Sequence, residues 1–196
     1  MKSIIYWHPA IYTLIMKFLY KENFYDRYRI IVDHIPRGAD VIDVCCGDCY
    51  IYLHFLKEKN VNYLGLDINK IFVNAAKRKG VRADQFDLAK DQLPQVDYIL
   101  MQASMYHFIP YEDRIMQKIL NSASKRAIIA EPAINISSSE NFFIRNMSRI
   151  LTGTGTDHSN ERFDKKRLLD FFNKHKATGI FEIEGGRDII GVFDRR

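Results

Sequence analysis

The sequence contains few cysteines and no long uninterrupted apolar segment. Its three cysteines, Cys45, Cys46 and Cys49, lie within five positions of one another, too close to cross-link distant parts of a fold. No secretory signal is recognisable before them, so we expect a reducing, cytoplasmic location. The most apolar N-terminal stretch, residues 4–20, is interrupted by polar residues and a proline and is shorter than the roughly 20 residues of a membrane span. We therefore expect no transmembrane segment.

The composition is that of an ordinary globular protein. With 196 residues, 47% of them hydrophobic and 27% charged, the chain is long enough to bury one sizeable core, and we expect a single domain over residues 1–196. The net charge of +5 suits an anionic partner such as nucleic acid or acidic lipid. Because the basic residues are scattered along the chain, they favour solvated helix faces and helix ends over a dedicated binding surface.

Apolar periodicity predicts alternating strands and helices. Short β-branched runs predict strands at residues 40–44, 61–66, 81–86, 96–101 and 126–130. Helical spacing predicts helices at residues 24–35, 50–59, 70–79, 110–123 and 164–175. Two further strands, residues 180–183 and 189–193, flank Gly185-Gly186 as in a β-hairpin. This alternation is typical of an α/β fold, with helices on both faces of a parallel sheet.

Two segments are expected as additions to that core. Residues 1–35 form a predicted N-terminal helical cap, whose amphipathic helix after Pro9 is expected to pack on its own domain and not on a membrane. Residues 134–162 form an insertion after the fifth strand, with an apolar helical face and a Thr-Gly loop. We expect this insertion to be a lid over a binding pocket; the alternatives are a part of the core or a dimer contact.

The turn after the first strand carries the first chemical motif. Residues 41–49 are Val-Ile-Asp-Val-Cys-Cys-Gly-Asp-Cys, an apolar strand with an acidic residue and then Cys45, Gly47 and Cys49 at alternate positions. In an open α/β sheet, this turn faces the ligand. The segment resembles the glycine-rich first motif of class I S-adenosylmethionine-dependent methyltransferases. The resemblance implies that Asp43 supports the loop and the methionine amino end of the cofactor, and that Cys45 and Gly47 lie against it.

Cys45 and Cys49 stand where the family motif has glycines. A residue other than glycine at positive φ costs roughly 1–2 kcal/mol, so we expect a strained loop and a cofactor that sits differently or binds more weakly. Because the loop is expected to hold a cofactor, and three thiols would still need a fourth ligand, we expect no metal.

A carboxylate at the end of the second strand supports the same cofactor. Asp67 lies 20 residues after Gly47, where a carboxylate can accept hydrogen bonds from both hydroxyls of a ribose. Residues 63–68, Tyr-Leu-Gly-Leu-Asp-Ile, resemble the second methyltransferase motif, which adds Ile68 to the cofactor site. The resemblance implies S-adenosylmethionine as the cofactor, with S-adenosylhomocysteine as the product.

Two later segments complete the resemblance on the cofactor side. Asp87 follows the third strand and matches the acidic residue that holds the adenine amino group in the family, with Leu88 against the ring. Asp84 is the alternative for this role. Residues 97–102, Asp-Tyr-Ile-Leu-Met-Gln, resemble the fourth motif and add Gln102 to the cofactor site.

The candidate substrate side lies after the fourth and fifth strands. Residues 105–108, Met-Tyr-His-Phe, resemble the segment that faces the transferred methyl group in many small-molecule methyltransferases, which implies roles for Tyr106 and His107. For a hydroxyl or phenol acceptor, His107 is the predicted general base; the alternative is a histidine that only hydrogen-bonds within the site or core. Glu131, just before Pro132, is predicted to bind an acceptor group; the alternative is a capping carboxylate.

The resemblance implies a Rossmann-like, doubly wound, seven-stranded sheet of order 3-2-1-4-5-7-6 with an antiparallel last strand. The expected function is in-line methyl transfer to a small-molecule or lipid-like acceptor, since the added segments are rich in apolar and aromatic residues. The alternatives are a nucleic-acid or protein methyltransferase and a cofactor-binding module without catalysis. A dinucleotide site is disfavoured because Cys45, Gly47 and Tyr50 satisfy one glycine position of three. The sequence leaves the oligomeric state open.

Overall fold

A computed structural model describes residues 25–133, 161–183 and 188–195. Within these ranges, strands and helices alternate as the apolar pattern predicts. The strands are β1 (Asp40–Val44), β2 (Asn62–Asp67), β3 (Ala83–Gln85), β4 (Val96–Gln102), β5 (Ala123–Pro132), β6 (Gly179–Glu182) and β7 (Asp188–Asp194). The α-helices are α1 (Asp26–Asp33), α2 (Lys70–Arg78), α3 (Glu112–Ser122) and α4 (Lys165–Lys174).

The strands form one seven-stranded sheet in the order β3-β2-β1-β4-β5-β7-β6. Strands β1 to β5 pair in parallel, and β7 runs antiparallel to both β5 and β6. This arrangement confirms the predicted strand order and the antiparallel last strand. Because β1, β2, β4 and β5 are parallel, their carboxyl ends meet along one edge of the sheet, where open α/β folds bind ligands.

Helices cover both faces of the sheet because its central strands are apolar on both sides. Ile31 of α1 and Val73 of α2 belong to the core on one face, whereas Met116 of α3 and Phe172 of α4 belong to the core on the other. Helix α2 begins at the predicted cap, since the side chain of Asn69 accepts a hydrogen bond from the backbone N–H two residues on, at 2.9 Å. The sheet and its two helical layers therefore form the predicted α/β fold.

The helical segment after the first turn differs from the expected α-helix. Residues Tyr52–Leu56 form a π-helix, and Lys57–Lys59 a 3-10 helix. Ile51 and Leu56 are both fully buried in the core beside α1, and they are five residues apart. Because a π-helix pairs residues i and i+5, its wider turn brings these two side chains onto the same face.

The predicted helix within the first 24 residues and most of the expected lid at 134–162 lie outside the described residues, which resume at Glu161. In the part of the chain that the structure describes, no helix is long and apolar enough to cross a membrane.

Candidate active site

The turn after β1 has the backbone of a glycine-rich loop although only one of its three key residues is glycine. Cys45, Gly47 and Cys49 have φ values of +57°, +54° and +56°, in the left-handed region that favours glycine. The cysteine at 45 directly follows β1, and the one at 49 ends the turn. The strain expected from the sequence at both cysteines is therefore confirmed.

Gly65 of β2 makes room for the two inward-facing thiols of this loop. A Cβ atom at Gly65 would lie 2.8 Å from Cys46 Sγ and 2.9 Å from Cys49 Sγ, closer than real Cβ contacts. The Cys49 thiol donates a hydrogen bond to Cys46 Sγ at 3.5 Å. This hydrogen bond and burial raise the pKa of Cys46 well above its ordinary value. No group of three metal-binding side chains occurs among the described residues.

We expect Cys49→Gly to be more stable than Cys49→Ala by about 1 kcal/mol, and to keep cofactor affinity equal to or better than that of the wild type. Both substitutions remove the buried thiol, but only glycine also removes the cost of positive φ at this position. Denaturant unfolding of the two variants measures the difference. A more stable alanine variant would show that the left-handed backbone carries no such cost.

Asp67 connects the loop to the end of β2. Its Oδ2 accepts a hydrogen bond from the backbone N–H of Gly47 at 2.8 Å, and its Oδ1 accepts one from that of Asn69 at 2.7 Å. Burial raises the pKa of Asp67, and the two backbone hydrogen bonds oppose this effect. Each carboxylate oxygen can accept a second hydrogen bond. Asp67 therefore fixes the turn and retains capacity for further donors.

Asp43 and Gln102 provide two buried acceptor atoms on the same face of the sheet. Asp43 Oδ2 accepts a hydrogen bond from the Tyr63 hydroxyl at 2.8 Å, while Asp43 Oδ1 and Gln102 Oε1 have no hydrogen-bond partner among the described residues. Asp43 lies opposite Leu100 in the sheet, so Gln102, two residues further along β4, faces the same side. Burial raises the pKa of Asp43 to about 7. Both oxygens are suited to accept hydrogen bonds from a ligand.

Glu131 caps the segment after β4. Its Oε1 accepts hydrogen bonds from the backbone N–H groups of Ser104 and Met105, each at 2.6 Å. Ser104 is the N-cap residue of the 3-10 helix Met105–Phe108, and Met105 is its first residue. The Oε2 atom is buried with no hydrogen-bond partner among the described residues, and burial raises the pKa of Glu131 to about 7. The structure thus gives Glu131 the capping role that the sequence offered as the alternative, with one oxygen uncommitted.

The same 3-10 helix carries the two predicted substrate residues. Tyr106 is buried and its ring centroid lies 4.0 Å from that of the half-buried His107. The guanidinium carbon of Arg162 lies 3.5 Å from the centroid of the Tyr106 ring, within the range of a cation–π interaction. Because this helix follows β4 and is capped from the end of β5, Tyr106 and His107 lie at the carboxyl edge of the sheet.

The loop after β3 places Asp87 and Leu88 at the other side of that edge. Asp87 Oδ1 accepts a hydrogen bond from the backbone N–H of Ala89 at 3.0 Å, and Asp87 Oδ2 forms an ion pair with Lys90 at 3.1 Å. Leu88 is buried, whereas the side chain of Ile68 after β2 is half exposed. The alternative carboxylate, Asp84, is exposed and pairs with a lysine of α2 at 3.0 Å.

A buried ion pair that the sequence did not predict lies near the candidate site. Arg27 of α1 donates to Asp188 at the start of β7 at 3.2 Å and to the Tyr28 hydroxyl at 2.8 Å. Asp188 pairs in the sheet with Pro132, next to Glu131. Arg27 was detectable in principle, because it lies four residues before the buried Ile31 on the apolar helix face.

The sequence that forms this arrangement matches a known protein family. The family described as "Methionine biosynthesis protein MetW" matches residues 25–140, more than half of the chain. The chain belongs to this family. The matched range contains β1 to β5 and every predicted cofactor and substrate residue. In sequence, no protein with a curated description matches the chain.

Solved structures show that the fold is that of the class I methyltransferases. The magnesium protoporphyrin IX methyltransferase of Synechocystis PCC 6803, with bound S-adenosylhomocysteine, is 14% identical over 89% of this chain and 84% of its own, with a TM-score of 0.63. A TehB-like S-adenosylmethionine-dependent methyltransferase from Corynebacterium glutamicum is 19% identical over 96% and 98%, with a TM-score of 0.58. An O-methyltransferase family 2 protein from Planctomyces limnophilus, in complex with apigenin, is 14% identical over 96% of this chain and 62% of its own, with a TM-score of 0.61.

Proposed function

We propose that the protein is an S-adenosylmethionine-dependent methyltransferase that acts on a small-molecule or lipid-like acceptor. The observation that carries the proposal is the left-handed loop at Cys45, Gly47 and Cys49, joined to Asp67 through the Gly47 N–H at 2.8 Å. A sequence tolerates two strained cysteines in a turn when the turn has a function, because strained backbone is concentrated at functional sites.

The cofactor would be held by groups from four parallel strands. Asp67 has acceptor capacity for the ribose hydroxyls, and the backbone at Cys45 and Gly47 lies beside it. Asp43 Oδ1 and Gln102 Oε1, buried and without donors among the described residues, suit the ammonium group of the methionine end.

The adenine would lie between the loop after β3 and the segment after β2. Asp87 would accept a hydrogen bond from the adenine amino group, while Leu88 and the exposed side of Ile68 would cover the ring. Asp84, the alternative for this role, is exposed and paired with Lys77, so we assign the role to Asp87 and none to Asp84.

Catalysis would depend mainly on placing the acceptor in line with the methyl group. S-adenosylmethionine supplies an electrophilic methyl group on its sulfonium sulfur. The protein then has to hold a nucleophile about 3 Å away in a site with little water. Tyr106 would contact the acceptor, and Glu131 would keep the 3-10 helix in place through the Ser104 and Met105 amides. If the acceptor is a hydroxyl or phenol, His107 would remove its proton.

Two observations support a small acceptor. The substrate side is lined by aromatic and apolar groups, with Tyr106 nine-tenths buried. Two structural neighbours are a magnesium protoporphyrin IX methyltransferase and an O-methyltransferase family 2 protein in complex with apigenin, and both names refer to small molecules. A nucleic-acid or protein methyltransferase and a non-catalytic binding module are the other outcomes of the test.

Transfer of a radioactive methyl group tests the proposal. The protein is incubated with S-adenosylmethionine labelled on the methyl group and with a cell extract separated into small molecules and lipids, nucleic acid, and protein. We expect label in the first fraction and equal amounts of S-adenosylhomocysteine. Label only in nucleic acid or protein would assign the alternative acceptors, and the absence of transfer to all three would favour a binding module.

A further inference from the structure

Two side chains of helix α3 donate hydrogen bonds to backbone carbonyls of the loop after β3. Lys118 Nζ donates to the carbonyls of Leu88 at 2.7 Å and Asp91 at 2.9 Å, and Ser122 Oγ donates to that of Leu93 at 3.1 Å. We propose that Lys118 is a positioning residue for base recognition, which holds Asp87 and Leu88 in the geometry that selects adenine. This inference rests on the proposed function, because it assumes that Asp87 meets the base.

Two hydrogen bonds close the loop after β3 into a turn, so the orientation of this turn depends on its contacts with the rest of the fold. The N–H of Asp87 donates to Asp91 Oδ2 at 2.7 Å, and the N–H of Asp91 donates to the Asp87 carbonyl at 2.8 Å. These bonds make residues 87–91 a compact turn. At its start, the Phe86 N–H donates to the Asp67 carbonyl at 3.0 Å. Lys118 contacts the turn at Leu88 and Asp91, and so fixes its orientation relative to α3.

A lysine is suited to this contact because its ammonium has three protons and can serve two carbonyls at once. Hydrogen bonds from a charged donor are shorter and stronger than neutral ones. The Lys118 side chain is half-buried and reaches the carbonyls across the gap between α3 and the loop. An arginine in its place keeps a positive charge and several donors, whereas methionine keeps the length of the side chain and removes every donor.

The test compares two ligands that differ only at the base. Calorimetric titration measures the dissociation constants of S-adenosylhomocysteine and of S-inosylhomocysteine, which has an oxygen in place of the adenine amino group. A hydrogen bond to a charged carboxylate predicts that the wild type prefers the adenine compound by about 10- to 100-fold. In Lys118→Met we expect this preference to fall to roughly threefold or less, with the affinity for the inosine compound little changed.

Two further variants separate positioning from general stability. Lys118→Arg is expected to restore most of the preference for adenine. Arg114→Met, which removes an exposed cation from the same helix, is expected to leave the preference unchanged. If Lys118→Met keeps the full preference and only unfolds at a lower temperature, Lys118 is structural and the inference is wrong. If the wild type binds neither compound, the proposed function itself fails and the inference falls with it.

Discussion

Asp67→Ala is expected to raise the dissociation constant for S-adenosylmethionine by roughly ten- to over a hundredfold, because a hydrogen bond to a charged group is worth roughly 1.5–3 kcal/mol. The substitution removes the acceptor predicted for the ribose hydroxyls. It also removes the acceptor for the Gly47 N–H, so the strained turn loses one of its hydrogen bonds to β2 and keeps the one from the Cys46 N–H to the Leu66 carbonyl at 3.1 Å. The fold should persist, since the apolar cores on both faces of the sheet are unaffected.

Asp84→Ala is the matched control for this experiment. Asp84 is a carboxylate on the neighbouring strand that is exposed and paired with Lys77, so its removal should leave cofactor binding unchanged. Circular dichroism and thermal unfolding confirm that both variants are folded. An unchanged dissociation constant in folded Asp67→Ala would remove Asp67 from the cofactor site.

The second large effect concerns the pH dependence of folding and comes from Glu131. Burial raises its pKa from 4.5 to about 7 in the folded protein. Between these two pH values the unfolded chain releases a proton that the folded protein keeps. The free energy of unfolding therefore falls as pH rises from 4.5 to 7, by about 3 kcal/mol for this group, and changes no further above pH 7.

Glu131→Gln isolates this contribution. Glutamine keeps an acceptor oxygen for the Ser104 and Met105 amides but does not titrate. Denaturant unfolding from pH 4.5 to 8 should show the variant gaining about 3 kcal/mol relative to the wild type. Asp43, whose pKa is also raised to about 7, is present in both proteins and cancels in the difference. Parallel stability curves for the two proteins would show that Glu131 is not buried as a neutral group.

The fold was predictable because its signals are local. Strand β1 occupies residues 40–44 as expected, since its β-branched run is bounded by a turn on each side. The expected strand at 81–86 is shorter, Ala83–Gln85, because β3 pairs only with β2 at the edge of the described sheet. The π-helix could not be distinguished from an α-helix, since an apolar face at Ile51, Phe55 and Leu56 fits both.

The geometry of the candidate site was predictable only where a sequence motif marks it. Spacing placed Gly47 and Asp67 together, and the structure joins them by a hydrogen bond. The partner of Arg27 is Asp188, 161 residues away, and no local pattern connects them. Lys118 donates hydrogen bonds to backbone carbonyls. Because every residue type has a backbone carbonyl, no residue pattern in the sequence predicts this contact. Contacts of this kind can be identified only from the structure.

Titration calorimetry of the wild-type protein with S-adenosylmethionine tests the central claim most directly. We expect one binding site per chain, with S-adenosylhomocysteine displacing the cofactor from it. The dissociation constant should lie below about 1 mM, the upper end of the usual range for enzyme ligands. Failure of both compounds to bind the folded protein in this range, or binding of a nicotinamide dinucleotide in their place, would contradict it.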